Sequence, residues 1–214
     1  MTFSCFNAMQ DSVIINQIPY NLDSILEDCW HRLINGANSS KHSFHNPSIA
    51  TINGSFPEIR TVVLRKVIPQ EKTLIFHTDY RSPKINQIKK NNTICWLFYD
   101  AKSRIQIRLK TVAAIHYQDD ISLKRWNESR LESRKIYLVV PAPSTMVKSP
   151  TDGLSEHLNN KDLTEENLTP GYENFAVVKN RVIEIDWLFL NHDGHRRAKF
   201  LLGENEVEKY WMIP

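Results

Sequence analysis

Cysteine is scarce in this sequence, and its three residues, Cys5, Cys29 and Cys95, are widely spaced without a C-x-x-C pair. Such spacing argues against a disulfide framework and against a cysteine-rich metal site. No signal peptide is recognisable at the N-terminus. We therefore expect reduced thiols, buried as small apolar groups, in a cytoplasmic protein.

Long apolar runs and concentrated charge are also missing. No stretch approaches the roughly 18 apolar residues that span a bilayer, so we expect no membrane segment. The net charge is only +3, and 27 Lys and Arg residues are dispersed among 24 acidic ones. Nucleic-acid-binding proteins usually concentrate basic residues on one face, so we expect no nucleic-acid partner.

Several motifs with a known chemistry are absent as well. The eight histidines show no H-E-x-x-H or other clustered metal spacing, and the chain has no P-loop and no G-x-S-x-G. These absences argue against a zinc site, a nucleotide-triphosphate site of the P-loop type and a nucleophile-elbow hydrolase. We expect no metal.

Short strand-like segments with turns between them dominate the rest of the sequence. Strands are predicted at about 59–68, 72–77, 93–99 and 104–115, and three more follow residue 173. With only a few helices, this pattern favours an antiparallel Greek-key barrel of the mainly β, α+β class over a parallel sheet. The length fits a single domain over residues 1–214.

Three helices are predicted around this barrel. Apolar residues at helical spacing predict an amphipathic helix at about 21–35, with Asn21 as its cap and Gly36 as its stop. Ser82 and Pro83 predict the start of a short second helix. A third is expected over 120–134. Residues 141–173 are rich in Pro, Ser, Thr, Asn and Asp, which predicts an irregular loop.

Basic and hydroxyl side chains recur at the ends of the predicted strands. Arg60, Arg65, Thr78, Ser82 and Lys84 can converge on one multiply charged anion, most simply a phosphate. Arg and Lys donate charge-assisted hydrogen bonds to such oxygens, and hydroxyl groups add neutral ones. The N-terminus of the short helix at Ser82 adds backbone amides and a favourable dipole.

The order of these segments resembles the flavin-binding split barrel of the pyridoxamine 5′-phosphate oxidase family. Arg60 and Arg65 hold the ends of its Arg-x-Val-Leu-Leu-Lys strand. His77, Thr78, Ser82 and Lys84 match its aromatic-Thr-(three residues)-Ser-Arg-Lys turn, and Gln106 matches the Gln of the following strand. Far along the chain, Trp187 is followed eight residues later by His195 and ten later by Arg197, as in the family.

The resemblance implies a homodimer with FMN at the subunit interface and a small-molecule substrate beside the flavin. The cofactor-binding positions it implies are Arg60, Thr61, Arg65, His77, Thr78, Ser82, Lys84, Gln106, Trp187 and Arg197. The substrate-binding positions it implies are Arg65, Trp126, Arg130 and His195. Trp126 and Arg130 are expected to share a face of the third helix, since they are four residues apart. No catalytic residue is implied.

The sequence departs from the family pattern at several positions, and these departures leave flavin binding better supported than the classical substrate. Pro83 stands where the family usually has Arg, and Arg65 stands where it has Lys. Asp193 occupies the position of an Arg that contacts the pyridine substrate in the vitamin B6 oxidases. We therefore expect an FMN-dependent oxidoreductase with weak activity on pyridoxamine 5′-phosphate. A non-catalytic flavin carrier or sensor stays open as the alternative, as do related split barrels that use heme or a deazaflavin.

Overall fold

The architecture is organised around one long strand, β9 (Phe175–Phe189). A computed structural model describes residues 12–15, 17–154 and 163–214. The other strands are β1 (Val13–Ile15), β2 (Ile18–Tyr20), β3 (Ser48–Asn53), β4 (Phe56–Thr61), β5 (Lys66–Ile68), β6 (Thr73–Asp79), β7 (Thr93–Asp100), β8 (Ile105–His116), β10 (Arg196–Leu202) and β11 (Val207–Met212). The helices are α1 (Leu22–Asn38), α2 (Pro83–Lys90), α3 (Asp120–Glu128), α4 (Leu131–Arg134) and α5 (Glu165–Leu168), with short 3-10 turns at Pro69–Glu71, Lys135–Leu138 and Thr169–Asn174.

The main sheet is antiparallel throughout, in the order β11-β10-β9-β8-β7-β3-β4. β9 pairs with β8 along its length, while its other edge pairs first with β6 and then with β10. A register shift in the β8–β9 ladder, where Lys110 opposes Glu184 but Thr111 opposes Val182, leaves Ile183 as an extra residue at the change of partner. Bulges of this kind bend a strand. The expected mainly β, antiparallel fold with a few helices is confirmed.

Alternating residues give the sheet an apolar inner face. Trp96, Leu109, Ile185 and Phe200 form one cross-strand row from β7 to β10, and all four are buried. Successive side chains of a strand point to opposite faces, so the charged residues between these positions lie on the outer face. The inner row belongs to the main hydrophobic core, against which α1 packs through Ile25 and other buried residues.

Helix α1 begins as predicted and ends later than predicted. The side chain of Asn21 accepts a hydrogen bond from the backbone N–H of Ser24, and the hydroxyl oxygen of Ser24 accepts one from the backbone N–H of Asn21. The two bonds form a capping box. The helix continues through Gly36 to Asn38, so the prediction that Gly36 stops it is wrong. A Cβ at Gly36 would lie 2.7 Å from the Cβ of Phe44. Gly36 is therefore needed for a close approach inside the fold.

Two other boundaries differ from the prediction. The expected strand over 59–68 is divided into β4 and β5, because residues 62–65 leave the ladder and bury Leu64. The expected helix over 120–134 is broken between α3 and α4, where Ser129 and Arg130 are extended. Within the predicted irregular loop, the described residues include α5 and a 3-10 turn, and residues 155–162 lie outside the description.

The cysteines are less uniform than expected. Cys29 is buried in α1, and burial raises the pKa of its thiol. Cys95 is exposed, so the expectation of a buried thiol is wrong there, because it lies on the outer face of β7. Cys5 falls outside the described residues. No helix among the residues described is long and apolar enough to cross a membrane.

Candidate functional site

A cavity of about 370 Å³ lies between β4, β6 and the start of α2, closed on one side by residues 136–143. It brings together six of the side chains that the sequence assigns to a cofactor: Arg60, Thr61, His77, Thr78, Ser82 and Lys84. The pairing of β3 with β4 and the turn from β6 into α2 place these residues around one space. Two cations and three hydroxyl groups thus face the same cavity, and the Asp79 carboxylate that also lines it is paired with Arg81, so the lining suits an anion.

Lys84 is the central cation of this cavity. Its Nζ donates hydrogen bonds to the hydroxyl oxygens of Thr78, at 3.0 Å, and Ser82, at 2.6 Å. Burial and, to a lesser degree, the neighbouring Arg60 lower the pKa of its ammonium group. A cation that is largely desolvated and held by neutral hydroxyl oxygens gains strongly from an anionic partner.

The start of α2 reinforces this property. Ser82 is the extended cap residue and Pro83 occupies the first turn, as predicted. The Ser82 side chain makes no capping bond to the helix, because its hydroxyl oxygen accepts from Lys84. The positive end of the α2 dipole therefore lies beside the cavity that Ser82 and Lys84 line.

Arg60 reaches the rim of the cavity but is already engaged. Its guanidinium donates to the carboxylate of Glu58 at 2.9 Å and to the side-chain oxygen of Gln87 at 3.1 Å, and it also contacts the Thr51 hydroxyl. Hydrogen bonds from Asn53 and Gln87, together with Arg60, lower the pKa of Glu58. A phosphate that binds here competes with Glu58 for Arg60.

His77 forms a wall between this cavity and a second one. Its ring packs edge-on against Phe175, with 4.9 Å between centroids, and within the described structure its Nε2 atom is buried without a hydrogen-bond partner. Burial, and then the positive charges of Arg65 and Arg125, lower the pKa of His77 to about 3. The imidazole is therefore neutral at physiological pH.

The second cavity, also about 370 Å³, is strongly basic. Arg65 and Arg130, two of the residues assigned to a substrate, line it together with His77. Lys66 and Arg125 add positive charge, although Glu128 forms an ion pair with Arg125 at 2.6 Å. Arg65 thus faces this cavity and does not line the first. Lys66 and Arg125 were not predicted for this site. Lys66 directly follows Arg65, and Arg125 precedes Arg130 by five residues, so their closeness to the assigned arginines could have indicated them.

Trp126, also assigned to the substrate, lies in a packed aromatic cluster. It is only 4% exposed, its ring contacts those of Tyr137 and Phe175, and the guanidinium of Arg134 lies 5.2 Å from its centroid. The expectation that Trp126 and Arg130 share a helical face is wrong, because α3 ends at Glu128. Trp126 supports the wall that carries Tyr137.

The remaining assigned residues lie on the far half of the sheet, away from both cavities. Gln106 and Arg197 flank Leu188 in one row of the outer face. Trp187 is turned to the inner face, 1% exposed, and its Nε1 is buried with no partner among the described residues. His195 is exposed in the turn after β9, where its Nδ1 accepts from the backbone N–H of Asn191.

The sequence is similar to that of pyridoxamine 5′-phosphate oxidases. The model of the pyridoxamine 5′-phosphate oxidase FMN-binding domain matches residues 27–117. Pyridoxine/pyridoxamine 5′-phosphate oxidase 2 of Arabidopsis thaliana is 34% identical over 133 residues, which are 56% of this chain and 66% of that protein. A putative pyridoxamine 5′-phosphate oxidase of Caenorhabditis elegans is 29% identical over 132 residues, 60% of this chain and 56% of that protein. Over residues 27–117 the chain is therefore similar to the FMN-binding domain of the pyridoxamine 5′-phosphate oxidase family.

Solved structures of this oxidase-like family share the fold. A pyridoxamine 5′-phosphate oxidase-related, FMN-binding protein of Nostoc punctiforme superposes with a TM-score of 0.69 at 20% identity, over 89% of this chain and 96% of that one. PhzG of Burkholderia lata, in complex with tetrahydrophenazine-1-carboxylic acid, gives 0.61 at 14% identity, over 90% and 92%. The predicted split barrel is confirmed. The chain spans less than two thirds of the length of the Arabidopsis thaliana and Caenorhabditis elegans proteins that it matches.

The donor set of the first cavity fits FMN, which is the cofactor in the description of the matched domain. Arg60, Lys84 and the hydroxyl groups beside them match a terminal phosphate, and the positive end of the α2 dipole lies beside them. In the described parts of the chain, no group of three or more His, Cys, Asp or Glu residues is arranged to hold a metal ion.

Proposed function

We propose that the protein is an FMN-dependent oxidoreductase that acts on a small molecule. The observation that carries the proposal is the contact of Lys84 with Thr78 and Ser82 at the start of α2, within one cavity that Arg60 also lines. In this proposal Lys84 and Arg60 hold the flavin phosphate, and Thr61 and His77 contact the cofactor along the cavity wall. Bound flavin supplies two-electron redox chemistry.

The second cavity supports a catalytic function over that of a passive flavin carrier. It shares His77 with the cofactor cavity, and Arg65 and Arg130 give it a positive lining. These two arginines bind an anionic group of the substrate in the proposed complex, and the neutral His77 separates that group from the cofactor. Trp126 and His195 stay predictions for the substrate site.

Pyridoxamine 5′-phosphate is not the substrate we favour. Asp193 is exposed in the turn after β9, pairs with His192 at 3.1 Å, and lines neither cavity of its own chain. It stands where the B6 oxidases place an Arg, and an ionised carboxylate can only accept hydrogen bonds. We infer weak or absent turnover of pyridoxamine 5′-phosphate. A cytoplasmic location stays a prediction.

We expect the purified protein to be yellow, with absorption near ~450 nm, and to release FMN on denaturation. Release of only FAD, or a heme spectrum, would overturn the proposal. Screening amines and reductants for bleaching of the colour then separates the two candidate functions. Bleaching by a substrate, followed by recovery with an acceptor, supports an oxidoreductase, whereas a flavin that no small molecule reduces supports a carrier or sensor.

A homodimer is part of the proposed function. Gln106 and Arg197 lie on the outer face of strands that do not line the cofactor cavity of their own chain, so we infer that they contact the flavin of a partner subunit. The contact of the buried Trp187 with flavin stays a prediction. The outer face also exposes apolar side chains, such as Ile59 (71%) and Leu97 (42%). We expect light scattering to give the mass of a dimer. A monomer with full FMN occupancy would contradict this inference.

A further inference from the structure

The outer face of β8, β9 and β10 carries two clusters of charge, each with one carboxylate of β9 between two basic side chains. Asp186 contacts Arg108 and Arg197. Glu184 lies 3.2 Å from Lys110 and 3.7 Å from Lys199. Both clusters border a cavity of about 450 Å³. Of these residues, only Arg197 has been assigned a role in the proposed function.

Asp186 holds Arg197 by a two-pronged contact. Its Oδ1 accepts from Nε of Arg197 at 3.1 Å, and its Oδ2 accepts from Nη2 at 2.7 Å. The same Oδ2 accepts from Nη2 of Arg108 at 2.6 Å. The carboxylate side chain is only 6% exposed, whereas that of Arg197 is 25% exposed. Two parallel N–H···O bonds fix the plane of a guanidinium as well as its position.

The hydrogen bonds from Arg197 and Arg108 keep the Asp186 carboxylate ionised as well as in place. Burial alone raises the pKa of Asp186, but the hydrogen bonds from Arg197 and Arg108 outweigh it and leave the pKa below its usual value. An ionised Asp186 also offsets the repulsion between the two guanidinium groups. Without it, both would move apart towards water, and Arg197 would lose a single orientation.

We propose that Asp186 is a positioning residue for the flavin site: it orients the guanidinium of Arg197 so that its free N–H groups meet the cofactor. The inference rests on the proposed FMN binding and adds a residue to it. Asp186 itself touches no ligand in this scheme. Its effect on FMN must therefore pass through Arg197, whereas a carboxylate that only stabilises the sheet would act independently of Arg197.

A double-mutant cycle tests this dependence. FMN affinity is measured by the quenching of flavin fluorescence for the wild type, Asp186→Asn, Arg197→Gln and the double variant, and the melting temperature of each apoprotein is recorded. We expect Asp186→Asn to weaken FMN about tenfold, and to have no further effect once Arg197 is Gln. Unchanged affinity in Asp186→Asn, or an equal loss in both backgrounds, would overturn the inference.

Glu184→Gln is the matched control. Glu184 lies on the same strand and face and bridges two cations, but neither is Arg197. We expect its FMN affinity to stay within about twofold of the wild type. An effect as large as that of Asp186→Asn would overturn the inference, because loss of any outer-face carboxylate would then suffice.

Arg197→Lys provides a second route if Asp186→Asn does not fold. Lysine keeps the positive charge but cannot form the two-pronged bond, so we expect a similar, roughly tenfold loss of FMN affinity. Wild-type affinity in Arg197→Lys would contradict a role for orientation. A wild-type protein that binds no FMN would instead overturn the proposed function, and the inference with it.

Discussion

Replacing Lys84 by Met is expected to weaken FMN binding by about 10- to 100-fold. The Lys84 ammonium lies among the hydroxyl groups of Thr78 and Ser82 at the helix start, where a phosphate would replace its lost hydration. Loss of one charge-assisted contact costs on the order of 1.5–3 kcal/mol, which gives this range. Isothermal titration of the apoprotein with FMN measures it directly.

Lys90→Met is the matched control for this experiment. Lys90 is an exposed basic residue of the same helix, so its substitution removes the same charge at a position outside the cavity. We expect its dissociation constant to match that of the wild type. Arg60→Met should weaken FMN as well, and it also frees Glu58 at the rim. Unchanged affinity in both Lys84→Met and Arg60→Met would remove these residues from the cofactor site.

Replacing Trp126 by Ala is expected to destabilise the protein by about 3–5 kcal/mol, as for other buried aromatic residues. The indole ring contacts Tyr137, Tyr172 and Phe175, with centroids 5.3–6.0 Å apart. A Cβ added at Gly171 would meet it at 3.1 Å, so the packing around it is tight. Urea unfolding followed by circular dichroism gives the change in the free energy of unfolding.

The outcome also decides what Trp126 does. Trp126→Phe should retain most of the stability, because it keeps an aromatic ring in the cluster. If Trp126→Ala were as stable as the wild type but failed to bind substrate, the residue would contact the substrate, as the family resemblance implies. Loss of stability in Ala and its recovery in Phe would place Trp126 in the supporting wall.

Features fixed by local chemistry could be predicted from the sequence. The helix cap at Asn21, the helix start at Ser82-Pro83 and the strands β7 and β8 depend on neighbouring residues, and each lies close to where it was expected. The convergence of Arg60 and Lys84 was predicted from the basic and hydroxyl residues at the strand ends and from the family motifs. Within the chain they are 24 residues apart, and the pairing of β4 with β3 and the position of α2 beside the same cavity bring them together.

Features fixed by tertiary packing could not be predicted in this way. At the break between α3 and α4, the buried guanidinium of Arg134 donates hydrogen bonds to the backbone oxygens of Asn127 and Ser129. Helical spacing alone gives no reason for it. Likewise, nothing near Asp186 in the sequence indicates its contact with Arg197, since the two are neighbours only through the β9–β10 ladder.

The extra residue in β9, Ile183, has a consequence for how this protein can change. Before it, β9 pairs with β6, which leads into the cavity of Lys84; after it, β9 pairs with β10, which carries Arg197. Because the β8–β9 register already shifts at Ile183, a change in strand pairing on one side of this residue need not propagate to the other. The part of the sheet that lines the cavity of Lys84 and the part that carries Arg197 can therefore diverge separately, each keeping its own geometry while the other acquires new side chains.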